Sequence, residues 1–111
     1  MARVPIIPTR QAADAIDVLA GLIRRGRHRR GWTQAQLAER IGVTAKTVHS
    51  IEAGNPTVAL GTVLNAADVT GVRLFDAEGE ELHRLRALNR DTVGLLSRRV
   101  DPRTVEVDDD F

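Results

Sequence analysis

Residues 24–30 read Arg-Arg-Gly-Arg-His-Arg-Arg, five arginines and one histidine in seven positions. Guanidinium groups at that density suit one chemistry, charge-assisted hydrogen bonding to phosphate oxygens. Two readings stand side by side. The cations can simply complement the C-terminal dipole of a helix. Alternatively Arg29 and Arg30 clamp phosphate, with Arg24 and Arg25 as weaker candidates. The charge distribution favours a phosphate partner for this part of the chain. Residues 1–60 hold nine Arg and Lys against four acids, residues 61–111 seven Arg against eleven acids, yet the net charge is only +1. A basic half attracts an anionic polymer and an acidic half avoids it.

Catalytic chemistry has no comparable signature. There is no Gly-rich phosphate loop, no His/Asp/Glu cluster at ligand spacing and no nucleophile–base pair. His28 has no partner for a metal site, and Asp14 and Asp17 read as ordinary acids in the first half of a helix. The expectation is a non-enzyme with no catalytic residue, no metal and no cofactor. Cysteine is absent, which removes disulfides and thiolate sites and fits a reducing cytoplasm. No apolar run approaches the roughly 20 residues that cross a bilayer. The opening MARVPIIPTR lacks the apolar centre of a signal peptide. A cytoplasmic location without membrane association is therefore expected.

The stretch that must position any binding residues is GWTQAQLAERIGVTAKTVHSIEAG, residues 31–54. Thr33 is an N-cap candidate, and Leu37, Ala38 and Ile41 form one apolar stripe. Gly42 follows where a helix end favours a left-handed residue. Val43 plugs the turn, Thr44 offers a second cap, Val48 and Ile51 face inward, and Gly54 ends the element. Two helices this short draw their stability from docking on something larger. A preceding helix from the Thr9 cap to about Arg29 supplies a face of Ala12, Ile16, Leu19 and Ile23, broadened by Val18 and Leu22. A following helix at about 60–69 turns Leu60, Val63, Leu64 and Ala67 inward, and Gly71 ends it. Residues 72–75 then alternate like a short strand. Such a strand needs a partner for its backbone, most simply its twin in a second subunit. Beyond residue 80, Leu82, Leu85, Val93, Leu96 and Val100 share one side of a helical wheel, with a break expected near Asn89 or Gly94. Asp101-Pro102 stops the pattern before an acidic end of Glu106, Asp108, Asp109, Asp110 and Phe111.

Taken together, GWTQ, the Leu37-Ala38 pair, Ile41-Gly42-Val43 and Ile51-Glu52-Ala53-Gly54 resemble the lambda-repressor-like (XRE) helix-turn-helix family over about residues 9–75. The family places a small residue in the first motif helix and glycine at the turn, here Ala38 and Gly42. The stretch GNPTVALGTVLNAADVTGVRLFDA is similar to the end of a HipB-type antitoxin domain. The resemblance implies a dimeric autorepressor that binds an operator palindrome in double-stranded DNA and holds a HipA-like kinase toxin. It also implies an ion pair between Arg27 and Glu52, and a phosphate contact from the side chain and amide of Gln34. A recognition helix presents its leading residues to the major groove. With Val48 and Ile51 inward and Glu52 tied back, the outward residues are Ala45, Lys46, Thr47, His49 and Ser50. Lys46 can donate to guanine, His49 and Ser50 to a base edge or phosphate, and Ala45 can touch a thymine methyl. Many family members carry glutamine where this chain has Ala45, so a bidentate reader of adenine is lost.

The expected architecture is thus mainly all-α, a helix-turn-helix bundle of four to five helices with a short C-terminal β-strand paired across a dimer. An N-terminal arm (1–8) precedes the DNA-binding domain (9–76), and an amphipathic segment with an acidic tail (77–111) follows. Base contacts are expected from Ala45, Lys46, His49 and Ser50. Phosphate contacts are expected from Arg29, Arg30, Thr33, Gln34, Thr47 and Asn55, with Thr57 as a neighbour. Dimerisation is expected from Val72, Leu74 and Phe75. Two alternatives remain open: a stand-alone regulator with no toxin, and a protein-interaction module that uses the same fold without DNA.

Overall fold

The computed structural model describes residues 5–96 and contains five helices there. These are α1 (Arg10–Arg29), α2 (Gln34–Ile41), α3 (Ala45–Glu52), α4 (Leu60–Val69) and α5 (Glu80–Gly94). The chain divides into two compact units, Met1–Arg73 with α1–α4 and Leu74–Phe111 with α5. Arg3, Val100 and the acidic end lie outside the described residues.

Local chemistry sets the boundaries in the first unit. The Thr9 hydroxyl accepts from the Ala12 amide at 3.1 Å and starts α1. Thr33 and Gln36 form a reciprocal capping box: the Thr33 hydroxyl accepts from the Gln36 amide at 3.1 Å, and the Gln36 carboxamide accepts from the Thr33 amide at 2.8 Å. Gly42 closes α2 at φ 74°, a left-handed conformation open to glycine at little cost. Two residues later the Thr44 hydroxyl accepts from the Thr47 amide at 3.2 Å and opens α3.

Around this frame the core is small and tightly shared. Ile23, Leu37, Val48 and Thr70 are fully buried, joined by Ala20, Ala38, Ile51, Ala66 and Ala67. α2 packs mainly on α3 and also meets α4, while α1 touches both α3 and α4. The junction of α1 with the end of α4 depends on Gly26. A Cβ there would collide with the Thr70 carbonyl oxygen and lie 2.9 Å from the Thr70 Cβ. The Thr70 hydroxyl is satisfied by donating to the Ala66 carbonyl at 2.7 Å.

Three expectations are corrected. Val18 and Leu22 do not widen the core stripe of α1, and Leu60 and Leu64 on α4 are also exposed. α4 instead buries Ala66 and Ala67, which sit closer to the short helices than leucines would permit. Second, no strand forms over residues 72–75. Leu74 makes one isolated antiparallel bridge with Ala77 across Phe75 and Asp76, both at positive φ (57° and 53°). A two-residue turn with both central residues left-handed is a tight hairpin turn. Because α5 begins at Glu80, no residues are left to extend the ladder beyond that single pair. Third, α5 runs unbroken through Asn89 and ends only at Gly94.

Candidate nucleic-acid interface

α3 divides cleanly into an inner and an outer face. Val48 is 0 % and Ile51 4 % exposed, whereas Ala45, Lys46 and His49 are exposed and Thr47 and Ser50 half-buried. The leading side chains therefore point away from the protein, and the helix rests on its β-branched residues. The Thr44 cap and a contact of 3.1 Å between the Thr44 and Thr47 hydroxyls hold the first turn.

The far end of α3 is locked by charge. Arg27 Nε donates to Glu52 Oε2 at 2.7 Å and its Nη2 to Oε1 at 2.9 Å, a bidentate pair. A third donor, Nη1, reaches the Trp32 carbonyl oxygen at 2.8 Å. Arg27 is buried, and a buried guanidinium with all its nitrogens engaged is a positional device. The hydrogen bond from Arg27 to Glu52 raises the arginine's already high pKa against the cost of burial. On Glu52, burial pushes the carboxyl up, but hydrogen bonds from Arg27 and Gln34 and the charges of Arg27 and Arg24 outweigh it and hold the pKa below the usual carboxylate range. The charged pair thus ties the end of α1 to the end of α3 and fixes the angle at which α3 is presented.

Gln34 enters the same cluster, its Nε2 donating to Glu52 Oε1 at 3.2 Å. It is also the first residue of α2, where backbone amides lack intrahelical acceptors. Thr33, Thr47 and Asn55 each serve the backbone as well: Asn55 Oδ1 accepts from the Thr57 amide at 2.8 Å and from the Thr57 hydroxyl at 2.6 Å. That arrangement leaves the Asn55 NH₂ group pointing outward as a donor.

Arg29 and Arg30 part company. Arg29 is exposed and lines a shallow depression with Arg24, Arg25 and His28. Arg30 instead donates to the Thr70 carbonyl at 2.7 Å, satisfying the last turn of α4, and its guanidinium lies 5.7 Å from the Trp32 ring centroid. The carbonyl-rich end of α4 is a better match for that cation than the sequence pattern of adjacent arginines indicates. Arg40 was missed altogether by sequence reasoning. Its guanidinium sits 4.1 Å over the Trp32 ring, a cation–π contact that joins the end of α2 to the loop before it. Trp32 and Arg40 share no periodic spacing, so nothing local announces the pair.

Val72 and Leu74 are half-buried, and Phe75 is 82 % exposed at the tip of its turn. No helix among the described residues is long and apolar enough to cross a membrane. Comparison with protein families finds one match, to a helix-turn-helix domain over residues 18–85. No curated protein and no solved structure matches the chain. The matched stretch takes in the capped pair α2–α3, the Arg27–Glu52 lock and the whole of α4, and on that basis the chain belongs to the helix-turn-helix domain family, a DNA-binding class.

Proposed function

We propose that this protein is a sequence-specific transcriptional regulator, a repressor, that binds a palindromic operator as a dimer with α3 in the major groove. The observation that carries the reading is the division of α3: Val48 and Ile51 are buried while Ala45, Lys46 and His49 are left open at the leading end. A helix held by buried aliphatics beneath and a buried ion pair behind is a rigid reading head, which direct readout demands. Lys46 donates to guanine O6 or N7, Ala45 meets a thymine methyl, and His49 and Ser50 bond a base edge or a phosphate. Arg29, the amide end of α2 at Gln34, Thr33, Thr47 and Asn55 set the register on the phosphates. Arg30 contributes charge near the backbone rather than a free clamp. Two copies whose recognition helices lie about 34 Å apart read half-sites one helical turn apart. The protein works in the cytoplasm.

The resemblance of residues 54–77 to HipB-type antitoxins adds a partner, a HipA-like kinase toxin held by the same dimer. A gel shift with the DNA upstream of the protein's own gene tests both layers. Retarded, salt-sensitive binding supports the regulator, and a further shift with the product of an adjacent kinase-like gene supports the antitoxin. Weak, salt-independent association with duplex favours the protein-interaction module instead.

A further inference from the structure

α5 is a 15-residue helix with no buried residue. Helices of that length are marginal in water unless one face is covered. Its apolar residues are far from scattered. Leu82, Leu85, Asn89, Thr92 and Leu96 recur at alternating steps of three and four, the a and d positions of a heptad. The remaining positions agree with that register. His83, Arg84, Ala87, Arg90, Asp91 and Gly94 fall at b, c and f, the solvent side, and are polar or small. An independent observation points to the same seam: Phe75, Leu82, Leu85 and Asn89 together line an open groove, and three of them are a or d residues.

We propose that α5 pairs in parallel, in register, with α5 of a second copy of this chain, with Leu82, Leu85 and Leu96 forming the seam and Asn89 facing its twin on the two-fold axis. A second copy is favoured over another partner by three features. A lone asparagine at an a position is the device that selects a parallel dimer and its register, because each amide meets its counterpart only when the helices are aligned. In a parallel pair, a g residue faces the e residue five positions on in the other copy. Glu81 at g then faces Arg86 of the second copy, opposite charges, and Leu88 at g faces Val93 of the second copy, both apolar. Both combinations match, whereas a displaced register sets Leu88 or Val93 against charge. The groove floor contributed by Phe75 gives the seam an aromatic end, which explains why an exposed phenylalanine is held at the tip of a strained turn. The contact is helical, and it replaces the strand pairing that residues 72–75 do not supply.

The inference rests on the dimeric reading above but not on DNA binding, and its tests need no DNA. Light scattering on the full chain at micromolar concentration should report the mass of two chains. Leu82→Asp with Leu85→Asp should reduce it to one, with the signal of the single Trp32 unchanged because that residue belongs to the other unit. Glu81→Arg and Arg86→Glu should each weaken self-association about tenfold or more, and an equimolar mixture of the two variants should recover it. Asn89→Cys introduces the only cysteine of the chain, and oxidation should link the two copies through it. A chain that is monomeric throughout overturns both this interface and the dimeric reading. A dimer that survives Leu82→Asp with Leu85→Asp, or one in which the introduced cysteines stay unlinked, overturns this interface alone.

Discussion

The two units of the chain solve the same problem in opposite ways. In Met1–Arg73, short helices of eight to ten residues are held because each contributes to one shared core, and even a charged residue, Arg27, is buried with every donor used. In Leu74–Phe111, a longer helix buries nothing and keeps five leucines and a valine exposed. Helix length is thus a poor guide to autonomy. The core of the first unit comes from tertiary closure, with small residues such as Gly26, Ala38, Ala66 and Ala67 admitting close approach. The second unit carries a complete apolar stripe and waits for its complement.

The sharpest way to break the contrast is to make one substitution in both regions. Leu37→Ala should cost about 2–5 kcal/mol of stability, because it opens a cavity among fully buried neighbours. Leu88→Ala, on a residue 62 % exposed, should leave the urea midpoint of the first unit within about 0.5 kcal/mol of the parent. Equal losses would show that the units unfold as one.

Removing the lock is next in size. Glu52→Ala leaves the Arg27 charge buried without its partner and should cost about 3 kcal/mol. The pair also carries a pH signature. Because the folded-state pKa of Glu52 is lowered, its contribution to stability is present above the usual carboxylate range and is lost as pH falls through the folded value. The urea midpoint should therefore drop on moving from about pH 6 to about pH 3, and Glu52→Gln should flatten that drop. A profile as steep in the variant as in the parent would assign the acid sensitivity elsewhere.

Smaller effects belong to binding. Lys46→Ala should lose about 1–3 kcal/mol on the operator and relax preference at one position, measured by competition against point-changed sites. Loss of equal size on random duplex would make Lys46 a phosphate contact. Arg29→Ala should lower the slope of log affinity against log salt by about one, while Arg30→Ala should act first on thermal stability, since it removes the donor to the Thr70 carbonyl. If Arg30→Ala shifts the slope and leaves stability alone, the two arginines have the roles first read from their adjacency.

Much of the first unit is legible one residue at a time. Thr9, Thr33 and Thr44 announce helix starts because a side-chain hydroxyl bonds amides only two or three residues away. Gly42 announces the turn because backbone sterics are equally local. The inner and outer faces of α3 follow from the spacing of Val48 and Ile51. Other features were out of reach. Leu60 and Leu64 carry the same periodicity as buried leucines, yet Ala66 and Ala67 form the packed face, since which side of a helix is covered depends on the shape opposite. The strand expected over residues 72–75 fails because ladder formation requires a partner, and the chain turns at Phe75 and Asp76 and enters α5.

Short-range hydrogen bonding and helical periodicity, both encoded within a few residues, determine where the helices begin and end, and the motif's own residues already nominate the reading face of α3. The assignment of the arginines is different in kind. Arg27 bridging to Glu52, Arg30 to the end of α4 and Arg40 to Trp32 depend on distances across 8 to 40 positions of chain. Within one run of like residues, only the packing of the helices decides which cation is buried as a brace and which is left facing solvent. Desolvation and geometry, rather than residue type, set that choice.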